Sequence, residues 1–114
     1  MKKKSTKCGL AEKHLNTLVQ LIRTCLSPKQ AIQVWIYGSR ARGSHQPYSD
    51  VDLLIQASPQ MKPQQVDLLR ERLEESELPF KVDVSLREEL YEPYRQEIEQ
   101  NKVLIFDSEK TIDR

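Results

Sequence analysis

Tyr37-Gly38-Ser39-Arg40-Ala41-Arg42-Gly43-Ser44-His45-Gln46-Pro47-Tyr48-Ser49-Asp50-Val51-Asp52-Leu53-Leu54-Ile55 is the stretch on which the reading of this chain turns. It joins the end of one apolar segment to the start of another through a polar loop. Upstream, Ile32-Gln33-Val34-Trp35-Ile36-Tyr37 is short, β-branched and aromatic, the composition of a buried strand. Gly38 breaks it. Downstream, Val51, Leu53 and Ile55 alternate with Asp50, Asp52 and Leu54, which predicts a second strand whose two aspartates leave the same face.

Working outward, residues 10–26 carry Leu15, Leu18, Val19, Ile22, Cys25 and Leu26 at helical spacing, an amphipathic helix stopped by Ser27-Pro28. Pro63 opens a second helix with the stripe Val66, Leu69 and Leu73. Lys81-Val82-Asp83-Val84-Ser85-Leu86 alternates as a third strand. A last helix starts near Pro93 and runs through Ile98, and Val103 to Phe106 reads as a short final strand. The order predicts an α/β (α+β) domain, a small mixed sheet with helices on one or both faces. The expected boundaries are a flexible basic start over 1–9, one domain over 10–107 and a polar tail over 108–114.

Composition narrows the function classes. Eighteen basic and 17 acidic residues leave a formal net charge of +1, so no global field draws nucleic acid or an anionic membrane. Met1-Lys2-Lys3-Lys4 is basic, but no apolar run follows it and no stretch reaches the ~20 apolar residues of a membrane span. A cytoplasmic protein with no membrane contact and no direct nucleic-acid binding is the expectation. Cys8 and Cys25 have neither metal-type spacing nor a disulfide framework; Cys25 is read as a buried thiol and Cys8 as exposed.

The chemistry gathers on three aspartates and a loop. Asp50 and Asp52 share one strand face, and Asp83 lies on the polar face of another strand. If those strands are neighbours, three carboxylates converge and repel one another. A divalent cation resolves the conflict, and Mg²⁺ suits oxygen ligands of this kind, taking one or two carboxylates plus substrate phosphates. Two such ions stabilise the attacking and leaving oxygens of an in-line phosphoryl displacement. Gly38 allows backbone amides to approach phosphate closely, Ser39 offers a hydroxyl, and the helical turn after it favours anions.

Gly-Ser, ten intervening residues and Asp-Val-Asp, with the embedded Ala41-Arg42-Gly43 and Ser49-Asp50-Val51-Asp52-Leu53, resembles the signature of the DNA polymerase β-like nucleotidyltransferase superfamily, in its minimal branch. Val82-Asp83-Val84 resembles the strand of the third carboxylate in that family. The resemblance implies the nucleotidyltransferase fold, ATP as substrate, and Mg²⁺, two ions, on Asp50, Asp52 and Asp83. It implies that Asp83 doubles as general base and that Gly38 and Ser39 hold the β- and γ-phosphates. Arg42 either faces phosphate or braces the loop through a carboxylate; Arg40 is read as solvent-facing.

Larger relatives carry an extra acceptor-recognising domain, for which this chain has little room. Small members resemble the antitoxin of a toxin–antitoxin pair whose partner is a HEPN-domain ribonuclease toxin. That likeness implies transfer of AMP to a tyrosine of the toxin, and a hetero-oligomer with it. The alternatives are a binding module that masks the toxin by contact and a small-molecule, antibiotic-type nucleotidyltransferase. Outside the motif, Trp35 is read as core, His14 as exposed, His45 as a solvated loop residue, and Tyr91 and Tyr94 as packing for the last helix.

Overall fold

Alternation along β1, Ala31–Tyr37, sends Ile32, Val34 and Ile36 to one face and Trp35 and Tyr37 to the other. The computed structural model describes residues 8–25, 29–46 and 48–109. The basic start Met1 to Lys4, Leu26, the Ser27-Pro28 stop, Pro47 and positions 110–114 lie outside the described residues. The elements in chain order are α1 (Glu12–Thr24), β1, α2 (Ser39–Arg42), β2 (Val51–Ser58), α3 (Pro63–Glu74), β3 (Val82–Leu86), a 3₁₀ turn (Arg87–Glu89), α4 (Glu92–Asn101) and β4 (Val103–Asp107). The four strands lie in the order β3-β2-β1-β4. β1 runs antiparallel to both β2 and β4, and β2 runs parallel to β3, so the sheet is mixed as the sequence predicts.

Two helix starts have a local cause. Pro63 stands in the first turn of α3, where its missing N–H costs nothing, and the Gln65 side chain accepts the Lys62 N–H at 2.8 Å. Pro93 plays the same part in α4. The stripe of α1 buries Leu18 and Ile22, followed by Cys25; that of α3 buries Val66, Leu69 and Leu73. The two helices touch each other and, with Ile32, Val34, Ile36, Val51, Leu53, Ile55, Val84 and Phe106, enclose the main core on one face of the sheet.

The opposite face is different in kind. Trp35 and Leu54 are register partners there and both are buried. Lys102, at the end of α4, sets its ammonium 3.8 Å from the centre of the Trp35 ring. Glu99 accepts from Arg87 at 2.6 Å and pairs with Lys102 at 2.8 Å, which ties α4 to the 3₁₀ turn. α4 itself buries no residue. Tyr91 and Tyr94, expected to pack it, are 64% and 60% exposed and meet each other edge-on.

Arg40 overturns its expected exposure: it is 2% exposed and the only charged residue buried among those described. Its Nε and Nη2 donate to the Ser49 carbonyl at 3.1 and 3.0 Å, and Nη1 donates to the Cys8 carbonyl at 2.9 Å. The guanidinium lies 5.2 Å from the centre of the Phe80 ring. Cys8, expected to be exposed, is half-buried at that contact. His14 is half-buried too, edge-on to Phe80 at 5.7 Å. His45 is not solvated: a Cβ on Gly9 would collide with its ring, and its Nδ1 is buried without a hydrogen bond among the described residues. The sequence reading missed these because Cys8 and Gly9 lie against the loop and Phe80 against Arg40 and His14, contacts between distant positions with no local pattern. Arg40→Met removes the guanidinium donors from two part-buried carbonyls and should lower stability by about 3 kcal/mol in urea unfolding, whereas a solvent-facing arginine would cost under about 0.5 kcal/mol.

Candidate active site

The candidate side chains meet where β1 ends and β2 and β3 begin. Tyr37 is the register partner of Asp52, and Asp52 is the register partner of Asp83. Partners directly across a sheet stand on the same face with Cβ atoms ~4.5–5.5 Å apart. So Tyr37, Asp52 and Asp83 form a row across three strands, on the face away from the main core. Asp50, two residues before Asp52, joins the row from the mouth of β2 and is exposed. Tyr37, not singled out from the sequence, donates from its hydroxyl to Ser85 Oγ at 3.2 Å. Its signal was available in the alternation of β1, which puts it beside Asp52 once β1 and β2 pair.

Gly38 and Asp52 are in close approach. Gly38 has φ 80° and ψ −151°, a conformation essentially reserved for glycine. A Cβ there would stand 2.5 Å from Asp52 Oδ2. The glycine therefore does two things: it makes the sharp exit from β1, and it lets the loop backbone lie against the carboxylate. Ser39 follows, half-buried, with its carbonyl accepting the Ser44 N–H at 3.0 Å. α2 has only four residues and ends at Gly43, in the left-handed region. A helix this short has little macrodipole, so an anion in this loop would have to be held by individual N–H groups and the Ser39 hydroxyl more than by a helix end.

The carboxylates are held in tension. Burial, then the charges of Asp83 and Asp50, push the Asp52 carboxyl above the usual carboxylate range, and Arg42 partly offsets them. Among the described residues no three potential ligands are gathered into a ready cage for a metal. Bare carboxylates that repel one another do not close on an empty centre, and Mg²⁺ needs only one or two of them plus phosphate oxygens. A half-buried, destabilised carboxylate flanked by two others, with a glycine cleared for close approach, fits a divalent cation with a polyphosphate.

Arg42 sits at the loop's other side. Its Nη1 lies 3.7 Å from Glu97 Oε2 on α4. Of the two roles open to it, the structure displays the carboxylate brace; both side chains are about half exposed, so the pair is weak and a phosphate could displace it. Two cavities flank the carboxylate row. One, of about 710 Å³, contains Asp52, Asp83 and Ser85 and extends to Arg70, Phe80 and Lys81. The other, of about 200 Å³, opens between Gly38, Arg42 and the α4 residues Tyr94, Glu97, Ile98 and Asn101.

Residues 18–106 match the family described as nucleotidyltransferase domain. The chain is 36% identical over 81 residues, 71% of each protein, to the "Probable protein adenylyltransferase MntA" of Haemophilus influenzae. Its fold resembles a crystal structure of a toxin–antitoxin with AMP-PNP, at a TM-score of 0.64 and 18% identity over 81% of this chain and 72% of that one. It also resembles a doubly substituted mutant of the toxin–antitoxin MntA-HpeT, at 0.62 and 17% over 81% and 71%. No helix among the described residues is long and apolar enough to cross a membrane.

Two substitutions probe the row. Gly38→Ala forces a side chain into a glycine-only conformation and against Asp52, so nucleotide binding measured by calorimetry should weaken by about 100-fold while the fold persists at a cost of about 1–3 kcal/mol. Asp52→Asn removes a charge that the fold destabilises. In EDTA it should raise Tm at pH 7 by roughly 1–4 °C. That gain holds above the raised pKa of Asp52 and vanishes once pH falls below the unfolded aspartate's value, since wild-type Asp52 is then neutral as well. A variant less stable than wild type at pH 7 would show that the Asp52 charge is not under strain.

Proposed function

The chain belongs to the nucleotidyltransferase domain family, and from that premise we propose that it is an antitoxin-type protein adenylyltransferase, moving AMP from ATP to a tyrosine hydroxyl of a HEPN-domain toxin and so neutralising it. The observation that carries the reading is the cross-strand pair Asp52 and Asp83, set beside a loop glycine that lies against Asp52. A relative named as a protein adenylyltransferase, and a fold shared with toxin–antitoxin structures, one of them with AMP-PNP, support the substrate and the kind of partner.

The division of labour follows from position. Asp50, Asp52 and Asp83 would hold Mg²⁺, two ions in the full arrangement, which when bound supplies charge neutralisation for the triphosphate. The Gly38–Ser39 backbone and the Ser39 hydroxyl bind the β- and γ-phosphates, with Arg42 released from Glu97 to join them. Asp83, at the exposed end of the row, accepts the proton of the acceptor hydroxyl. The phenolic oxygen then bonds to the α-phosphorus, the bond to the bridging oxygen of the β-phosphate breaks, and pyrophosphate leaves on the Gly38 side. Tyr37 and its bond to Ser85 keep the face around Asp52 and Asp83 rigid.

The test uses ATP radiolabelled at the α-phosphate, with the purified chain and the protein encoded beside it. Label should pass to that neighbour in Mg²⁺. It should fall by at least about 100-fold with EDTA, Asp50→Ala or Asp52→Ala, variants that still fold because neither residue is in the main core. A stable complex that carries no label, and is neutralised equally by the Asp50→Ala variant, would replace catalysis with masking by contact.

A further inference from the structure

A hydroxyl of the chain's own already stands on the acceptor side of the carboxylate row. Tyr37 leaves β1 on the same face as Asp52 and Asp83. Its side chain reaches across β2, and the hydroxyl donates to Ser85 Oγ on β3 at 3.2 Å. Asp83 precedes Ser85 by two residues, on the same face and about 7 Å along the strand. Tyr37, Asp52, Asp83 and Ser85 all line the cavity of about 710 Å³. In-line displacement requires the attacking and leaving oxygens to lie on opposite sides of the α-phosphorus. With pyrophosphate on Gly38 and Ser39 and the phosphorus at Asp52, attack comes from the β3 side, where the Tyr37 hydroxyl lies.

We propose that Tyr37 is an acceptor within the chain: with ATP bound and no partner docked, the site moves AMP onto its own Tyr37 hydroxyl. The proposal rests on the nucleotidyl-transfer reading and adds a modification site to it. The Tyr37 oxygen bonds to the α-phosphorus, the bond from that phosphorus to the oxygen bridging the β-phosphate breaks, the phenolic proton passes to Asp83, and pyrophosphate leaves. Of the two hydroxyls, a phenol gives up its proton more readily than an alkyl alcohol, which selects the tyrosine over Ser85. The bond to Ser85 is the one hydrogen bond this hydroxyl makes among the described residues, and it is longer than the usual ~2.7–2.8 Å between hydroxyl oxygens, so it yields to attack. A well-oriented group in the same molecule acts at effective concentrations of up to ~10⁸ M, so Tyr37 competes even from an imperfect angle. The remaining tyrosines, Tyr48, Tyr91 and Tyr94, are exposed and line no part of this cavity. A second copy of the chain could reach them, but the cavity favours Tyr37.

The experiment incubates the full chain alone with ATP labelled at the α-phosphate in Mg²⁺, then maps the label by tryptic digestion and fragmentation mass spectrometry. The peptide from Gln30 to Arg40 holds Tyr37 and no other tyrosine, and fragmentation separates Tyr37 from Ser39. One AMP should appear on Tyr37. The fraction modified in a given time should not change when the chain is diluted about 10-fold, as befits an intramolecular step. Tyr37→Phe should erase the label, and the wild-type map decides the matter even if that variant folds poorly. The protein encoded beside the chain serves as a parallel acceptor. Label on that neighbour with none on Tyr37 when the chain is alone overturns the internal acceptor and leaves the transfer reading intact. Label on Tyr48, Tyr91 or Tyr94 that falls on dilution overturns it as well, in favour of transfer between copies. A chain that labels neither itself nor the neighbour overturns both.

Discussion

The buried guanidinium of Arg40 is the contact on which the geometry of the site depends. It lies in the short helix after Gly38, bonds the carbonyl of Ser49, one residue before Asp50, and stacks on Phe80, two residues before β3. It therefore spaces three things at once: the loop, the mouth of β2 that carries Asp50 and Asp52, and the approach to the strand of Asp83. A buried cation is costly to desolvate, and the fold offsets that cost by giving it carbonyl oxygens. A hydrophobic residue could fill the volume, but it could not hold a carbonyl on either side. The third part of this tie sets Cys8 against the same loop, so a residue far from the motif helps to set its shape.

The two faces of the sheet divide stability from chemistry. One carries the apolar core under α1 and α3, where burial supplies the free energy of folding. The other spends some of it. Asp52 is half-buried beside two like charges, and Gly38 is held in a backbone region that other residues avoid. Neither choice serves the folded state. Both make sense if a divalent cation and a polyphosphate complete the row, because the ligand then removes the repulsion that the protein tolerates without it.

How far the sequence could be read depended on the range of each contact. Period-two alternation in β1, β2 and β3 placed Asp50, Asp52 and Asp83 on polar faces, and pairing of neighbouring strands brings Asp52 and Asp83 together, so the carboxylate row was legible. The same arithmetic would have added Tyr37, which was overlooked because an aromatic at a strand end resembles core. Arg40 was misread for a different reason. Its burial comes from Cys8, Ser49 and Phe80, which lie 32, 9 and 40 positions away, and a polar loop gives no local sign of which of its residues turns inward. His14 was misplaced by its contact with Phe80, and His45 by its contact with Gly9, both distant in sequence. Tyr91 and Tyr94 were assigned to packing because aromatics on a helix usually are, yet α4 is held by charge.

That last point bears on how the site can work. α4 buries no side chain, and its described ties to the body of the fold are the Arg87–Glu99 pair, the Lys102–Glu99 pair with its ammonium over Trp35, and the weak Arg42–Glu97 pair. Polar ties of this kind are weaker and more adjustable than interdigitated core packing. Arg42 is the one of these that belongs to the loop after β1. An anion in the loop that displaced Glu97 from Arg42 would remove one of these few ties, and α4 would then be held by Glu99 and Lys102 alone among the described pairs.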